Sequence, residues 1–322
     1  SAPALPQDIE LDINVYQMDP ASDGRDYFDQ SLIIQELDEV QPFNNFSIEM
    51  TSLAFGQPFE RVYNCFYFDV SCYGSRLFGI AFADPFLFHN DHLIQYLEGD
   101  GDYEVPVFAF NATDELFTCC LGYADDNWAD GTQSFVFAFD SPSVRDISGY
   151  GFSTTTIHEV GHHIALSHPH DGYDYESDVD FGPEGDYLFA WLGDFSNSMM
   201  SYIDLNWDFS QFDRDNMSRF MTITYLDQAN VVLEDIYHSP RASKVGAELA
   251  AADGYAADAL AAYQAMDYAG AVMQAQMAYQ QVLAAAEAIN VQVEPQSWQA
   301  DYKAKGASGK FVDDVDYPRF AP

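Results

Sequence analysis

His158-Glu159-Val160-Gly161-His162-His163-Ile164-Ala165-Leu166-Ser167-His168 is the stretch on which the reading of this chain turns. It holds a His-Glu-x-x-His core and a third histidine six residues after the second. Residues four apart share one face of a helix, so His158 and His162 can turn two imidazoles toward one metal ion. Glu159 follows the first of them, where its carboxylate can take a proton from a water held at that ion. Three neutral protein ligands leave zinc one open position, which separates a catalytic site from a closed structural one. The spacing points to a hydrolytic zinc site.

His168 sets a further condition. A continuous helix would carry it about 15 Å along the axis from His158. The helix therefore has to stop after His162, and the chain has to fold back. This segment resembles the metzincin zinc peptidases, whose pattern is H-E-x-x-H-x-x-G-x-x-H. Every histidine and the glutamate match, while Ala165 stands where that family has glycine. A left-handed turn at alanine costs roughly 1–2 kcal/mol, and the expectation is that the turn survives with a positive φ at Ala165. Farther on, Ser198-Met199-Met200-Ser201-Tyr202 resembles the Met-turn of the same family. The resemblance implies Met200 beneath a base formed by metal ligands His158, His162 and His168. As in the astacin-like and serralysin-like branches, it also implies Tyr202 near the metal, with a phenol able to hydrogen-bond an oxyanion. The specific likeness is confined to residues 158–168 and 198–202.

The whole chain bounds the partners. Its 322 residues carry 52 acidic and 12 basic side chains, a formal net charge of −40. That field repels nucleic acid and anionic membranes, so neither is expected as a partner. High-salt surroundings, bound calcium and plain solubility each account for such a surface. No run of 18 apolar residues occurs, so no membrane insertion is expected. The opening residues, Ser1 to Pro6, lack the basic and apolar regions of a signal peptide and look like what remains after processing. The four cysteines, Cys65, Cys72, Cys119 and Cys120, are even in number and without Cys-x-x-Cys spacing. Two disulfides are expected, with Cys119 and Cys120 each pairing to Cys65 or Cys72, and with them a secreted, extracellular location. Free buried thiols are the alternative.

The pattern along the chain indicates an α+β protein. Alternation predicts a strand over 9–16, apolar spacing a helix over 26–40, and β-rich runs strands over 46–55, 61–70 and 76–83. A short helix is expected at 91–98, strands at 105–110, 116–123 and 133–139, and the histidine helix at 154–164. Ser210 is placed to cap a helix running to about Tyr237, and Ser239-Pro240 to begin another. Val245, Leu249, Ala252, Ala256, Leu260 and Tyr263, then Val272, Tyr279, Leu283 and Ala286, trace a helical hairpin. The resulting organisation is a β-rich region at 1–75, a metzincin-like catalytic domain at 76–238, the hairpin at 239–292 and a polar tail at 293–322. Whether 1–75 is a separate domain, a propeptide or part of the catalytic fold stays open. In the family resembled, the strand before the last forms a sheet edge that pairs with bound peptide, here Leu116–Tyr123.

These readings converge on a secreted zinc endopeptidase acting on peptide or protein substrates, with Glu159 as general base. Two alternatives stand beside it. A thermolysin-like site would take a downstream glutamate such as Glu184 as third ligand and leave His168 idle. A non-catalytic surface or adhesion protein would use the zinc structurally and gain nothing from Glu159. Asp174, Glu176, Asp178, Asp180, Glu184 and Asp186 are dense enough to hold calcium, as are Asp125, Asp126, Asn127 and Asp130. A solvated acidic loop is the competing account of both. The C-terminal hairpin reads as a packing or partner-contact element. His163, His170, His89, His92 and His238 have no motif role.

Overall fold

The computed structural model describes residues 2–5, 7–17, 28–54, 103–111, 122–124, 136–140, 151–166, 168–169, 198–201 and 208–295. Strands and helices mix in an α+β arrangement with a five-stranded sheet. β2 (Asp8–Gln17), β3 (Asn45–Ala54), β4 (Tyr103–Asn111) and β6 (Val136–Asp140) run parallel, and β5 (Gly122–Ala124) runs antiparallel to β6. Their order is β3-β2-β4-β6-β5. Strands from either side of residue 75 thus share this sheet, with β2 hydrogen-bonded to both β3 and β4. Parallel neighbours need a crossover, and α1 (Gln30–Val40) lies between β2 and β3.

Alternation explains the layering. Ile9, Leu11, Ile13 and Val15 of β2 are fully buried on one face. The register sets Leu11, Ile13 and Val15 beside Val105, Val107 and Ala109 of β4, and Ile9, Leu11 and Ile13 beside Phe46, Ile48 and Met50 of β3. These residues share a core with Ile33, Leu37 and Val40 of α1 and with Phe152, Ile157 and Val160 of α2 (Phe152–His163). α1 begins at Gln30 rather than residue 26, because Asp29 accepts the Leu32 N–H at 3.1 Å and fixes the first turn.

Between Gln211 and Ala288 the chain is mostly helical. α3 (Gln211–His238) follows its N-cap Ser210, and α4 (Gly246–Gln264) and α5 (Tyr268–Ala288) form the expected hairpin against it. Ser239-Pro240 does not start a helix. Ser239 caps α3 through its N–H to Ile236 O, and a single 3₁₀ turn at Ala242–Lys244 reverses the chain before α4 begins. Leu260 also departs from expectation. It is 51% exposed, while Ala252 and Ala259 are buried on α4. A close helix contact selects the small side chain over the large one. β1 (Ala2–Ala4) pairs in parallel with β7 (Val293–Pro295), so the start of the supposed tail is a strand. The Leu5 N–H donates to the Tyr279 hydroxyl at 3.1 Å, and the Tyr279 ring packs on Tyr225.

Strands expected at 61–70 and 76–83, the helix at 91–98, the four cysteines, both acidic stretches and the chain beyond 295 lie outside the described residues. Among the described residues, no helix is long and apolar enough to cross a membrane.

Acidic groups crowd two places. In β2, Asp12 pairs with Glu49 across to β3, and burial, helped by Glu49 and Glu10, pushes its carboxyl up to about 6 against the pull of an Asn14 hydrogen bond. On α1, burial together with Asp208 and Glu39 pushes Glu36 up to about 7. A carboxyl raised in the fold opposes folding when charged and stops doing so once protonated. Above pH 6 the Asp12 charge therefore costs stability, and the cost fades as pH falls from about 6 toward its ordinary value near 4. Asp12→Asn should melt above wild type at alkaline pH, with the gap closing over that window. A pH-independent gap in calorimetric scans would mean that Asp12 is not strained by its charge.

Candidate metal centre

α2 is held at both ends. At its start, Thr154 Oγ1 accepts the Gly151 N–H at 2.9 Å, the Asp29 N–H donates to Ser153 Oγ at 2.7 Å, and the Phe28 and Phe152 rings stack. At its end, the Leu166 N–H donates to Gly161 O and the Ala165 N–H to His162 O, both at 2.9 Å. Those two bonds define a Schellman termination with Ala165 in the left-handed position. Its φ is 81°, the conformation the histidine spacing required. The reversal returns the chain to the helix face it has just left.

Three ring nitrogens consequently meet. His158 Nε2 lies 3.1 Å from His162 Nε2 and 3.2 Å from His168 Nε2, and the latter two are 2.9 Å apart. His158 Nδ1 lies 2.8 Å from Met199 O and His162 Nδ1 2.9 Å from Leu166 O. A carbonyl can only accept, so Nδ1 carries the proton in His158 and His162, and the neutral form of each ring turns an Nε2 lone pair toward the cluster. Ring nitrogens gathered at these separations are the arrangement a cation at their centre accepts from. Tetrahedral zinc with Zn–N near 2.0–2.1 Å sets its ligands about 3.3–3.4 Å apart, close to the triangle found here. The donor set and its tautomers fit a metal ion held by His158, His162 and His168.

Residues 198–201 pack against α2 at this cluster. Met199 and Met200 are fully buried. A Cβ added to Gly161 would come within 2.7 Å of Met200 Sδ, so the thioether presses on the helix between His158 and His162. This explains a glycine inside a helix, where it costs about 1 kcal/mol relative to alanine. The turn is pinned from α3. Asp213 Oδ2 accepts from Ser198 Oγ at 2.7 Å, from the Ser210 N–H at 2.6 Å and from Ser210 Oγ at 2.7 Å. Ser198 Oγ in turn accepts the Met200 N–H at 2.9 Å. Burial raises the Asp213 carboxyl while these donors lower it. The Met199 N–H donates to Asp208 O at 2.8 Å.

Glu159 is buried at 7% exposure, and desolvation pushes its carboxyl up to about 8. Its side chain lies against the backbone of β5 so closely that a Cβ on Gly122 would collide with its carboxylate and Cγ. Tyr202 and Glu184 lie outside the described residues. His163 is fully buried in the core and His238 is exposed on α3. Sequence reasoning missed Gly122, Ser198 and Asp213 as supports of the site. A glycine inside a predicted strand is a signal of close backbone approach, and Ser210 with Asp213 has the spacing of a capping box.

No family model, no curated protein and no solved structure matches this chain.

Ala165→Gly should stabilise the protein by about 0.5–1 kcal/mol, since relief of the left-handed strain exceeds glycine's extra unfolded-state entropy. Urea unfolding reads it, and a loss of stability would mean that the alanine turn is unstrained. Asp213→Ala removes the acceptor of three hydrogen bonds. It should cost about 2–4 kcal/mol and lower metal affinity, and an unchanged affinity in a folded variant would separate the Met-turn from the centre.

Proposed function

We propose that this chain is a secreted zinc-dependent endopeptidase with a metzincin-like catalytic arrangement. The observation that carries the reading is the convergence of three Nε2 atoms at the end of a helix whose Glu159 is buried against strand β5. Bound by His158, His162 and His168, zinc would supply Lewis-acid polarisation of the scissile carbonyl and a water acidic enough to ionise near pH about 7.

The chain's own residues do the rest. Glu159 takes the proton of the attacking water on its carboxylate and passes it to the departing amine. Its confinement between α2 and the backbone of Gly122 fixes the carboxylate, so proton transfer needs no search for geometry. Among the described residues β5 is the last strand of the sheet and runs antiparallel to β6, and the outer backbone groups of such a strand can pair with an extended peptide. The substrate then lies along the strand that abuts the base. Tyr202, two residues beyond Met200, would donate its phenol to the oxyanion.

Burial of Glu159 weighs against a purely structural zinc, because a closed structural site gains nothing from a carboxyl held beside it at a desolvation cost. His168 beside the other two histidines weighs against a thermolysin-like ligand set, in which it would be idle.

Glu159→Ala should keep one zinc per chain and lose about 10²–10⁴-fold in peptide cleavage, measured by metal analysis and turnover of a quenched-fluorescent peptide library. Undiminished turnover would remove Glu159 from the mechanism. A chelator should abolish wild-type cleavage, and His168→Ala should lose zinc. Retention of zinc and activity by His168→Ala would sink the three-histidine site.

A further inference from the structure

A second group of possible ligands lies outside the histidine centre. Glu36 and Glu39, one turn apart on α1, bring carboxylate oxygens within 4.8 Å of one another and of Asp208, which precedes α3. Arg214 reaches the same group from α3, bridging Glu39 and, at 3.1 Å, Asp208. Three carboxylates and one guanidinium leave a formal excess of two negative charges. Glu36 turns this from a surface cluster into a site. It is only 3% exposed, and its Oε2 is buried with no hydrogen-bond partner. A buried carboxylate oxygen without a donor is a costly arrangement that a cation relieves.

The geometry points to a calcium site formed by Glu36, Glu39 and Asp208. Calcium takes six to eight oxygens at about 2.3–2.6 Å, so oxygens on opposite sides of one ion can stand about 5 Å apart. Glu39 and Asp208 are about half exposed, which leaves room for waters to complete the shell. Two positive charges on the ion match the excess that Arg214 leaves. The ion would tie α1 to the segment entering α3. From there a relay runs to the histidines: the Asp208 carbonyl accepts the Met199 N–H, and the Met199 carbonyl accepts from His158 Nδ1. The site rests on this geometry alone and not on the peptidase reading.

Calcium binding to the zinc-loaded full chain tests it by isothermal titration, with thermal melts alongside. Glu39→Gln and Asp208→Asn alter half-exposed side chains and should leave the fold intact. Each should bind one calcium fewer than wild type, or bind it at least about tenfold more weakly, and lose the corresponding calcium-dependent rise in melting temperature. Arg214→Gln is the opposing control. It removes the competing cation, so it should melt lower than wild type without calcium, recover with calcium, and bind calcium more tightly. Equal calcium stoichiometry and affinity in wild type and both carboxylate variants would overturn the site. So would an Arg214→Gln variant that binds calcium no better than wild type. Zinc content and peptide cleavage are read separately, so a failed calcium site leaves the peptidase reading untouched, and the converse holds.

Discussion

The Leu166 N–H to Gly161 carbonyl bond, closed over a left-handed Ala165, is the interaction on which the rest of this structure depends. A straight helix can offer two histidines to one point in space but not a third ten residues away. The reversal brings His168 to that point, and it does more. It sets the Leu166 carbonyl where His162 Nδ1 donates to it, so one turn both returns His168 and fixes the tautomer of His162. Left-handed alanine costs roughly 1–2 kcal/mol, against an apparent 10–16 kcal/mol for structural zinc in small peptides at neutral pH. Once metal binds, the strain is a minor term.

The helix carrying this turn is gripped from two sides, each through a glycine that has no room for a Cβ. At Gly161, Met200 Sδ comes up from the Met-turn, and at Gly122 the Glu159 side chain lies against the edge strand. The first contact sets the height of the histidine pair, and the second sets the carboxylate relative to the strand. Asp213 connects the first grip to α3, because its carboxylate caps that helix and holds Ser198 in the same set of hydrogen bonds. A helix cap is thereby also a support for the segment that meets the three histidines. Such double use concentrates buried polar groups near the site and makes their removal costly.

What could be read from sequence and what could not divide by chain separation. The histidines, Glu159 and the turn at Ala165 fall within 11 residues, so helix geometry alone constrains them. The alternation of Ile9, Leu11, Ile13 and Val15 likewise contains its own answer, because period two has one meaning on a half-buried strand. The packing of Glu159 on Gly122 and the bond from Ser198 to Asp213 depend on how distant segments dock, and no local pattern encodes that. Start signals also misled where the chain had to reverse. Proline at residue 240 suits a first helical turn, yet α4 could begin only at Gly246, after a 3₁₀ turn had redirected the backbone.

Charge shows the same division. The excess of acid is plain in composition, but its concentration at the joint of α1 and α3 is not, since Arg214 and Glu39 are 175 residues apart. At that joint Glu36, Glu39 and Asp208 repel one another, and one guanidinium only partly compensates. The backbone of Asp208 meanwhile receives the Met199 N–H, and Met199 orients His158. The joint is therefore two hydrogen bonds away from a histidine of the cluster. A cation held there, as inferred above, would relieve that repulsion, and the acidity of this protein would then bear on its site as well as on its surface.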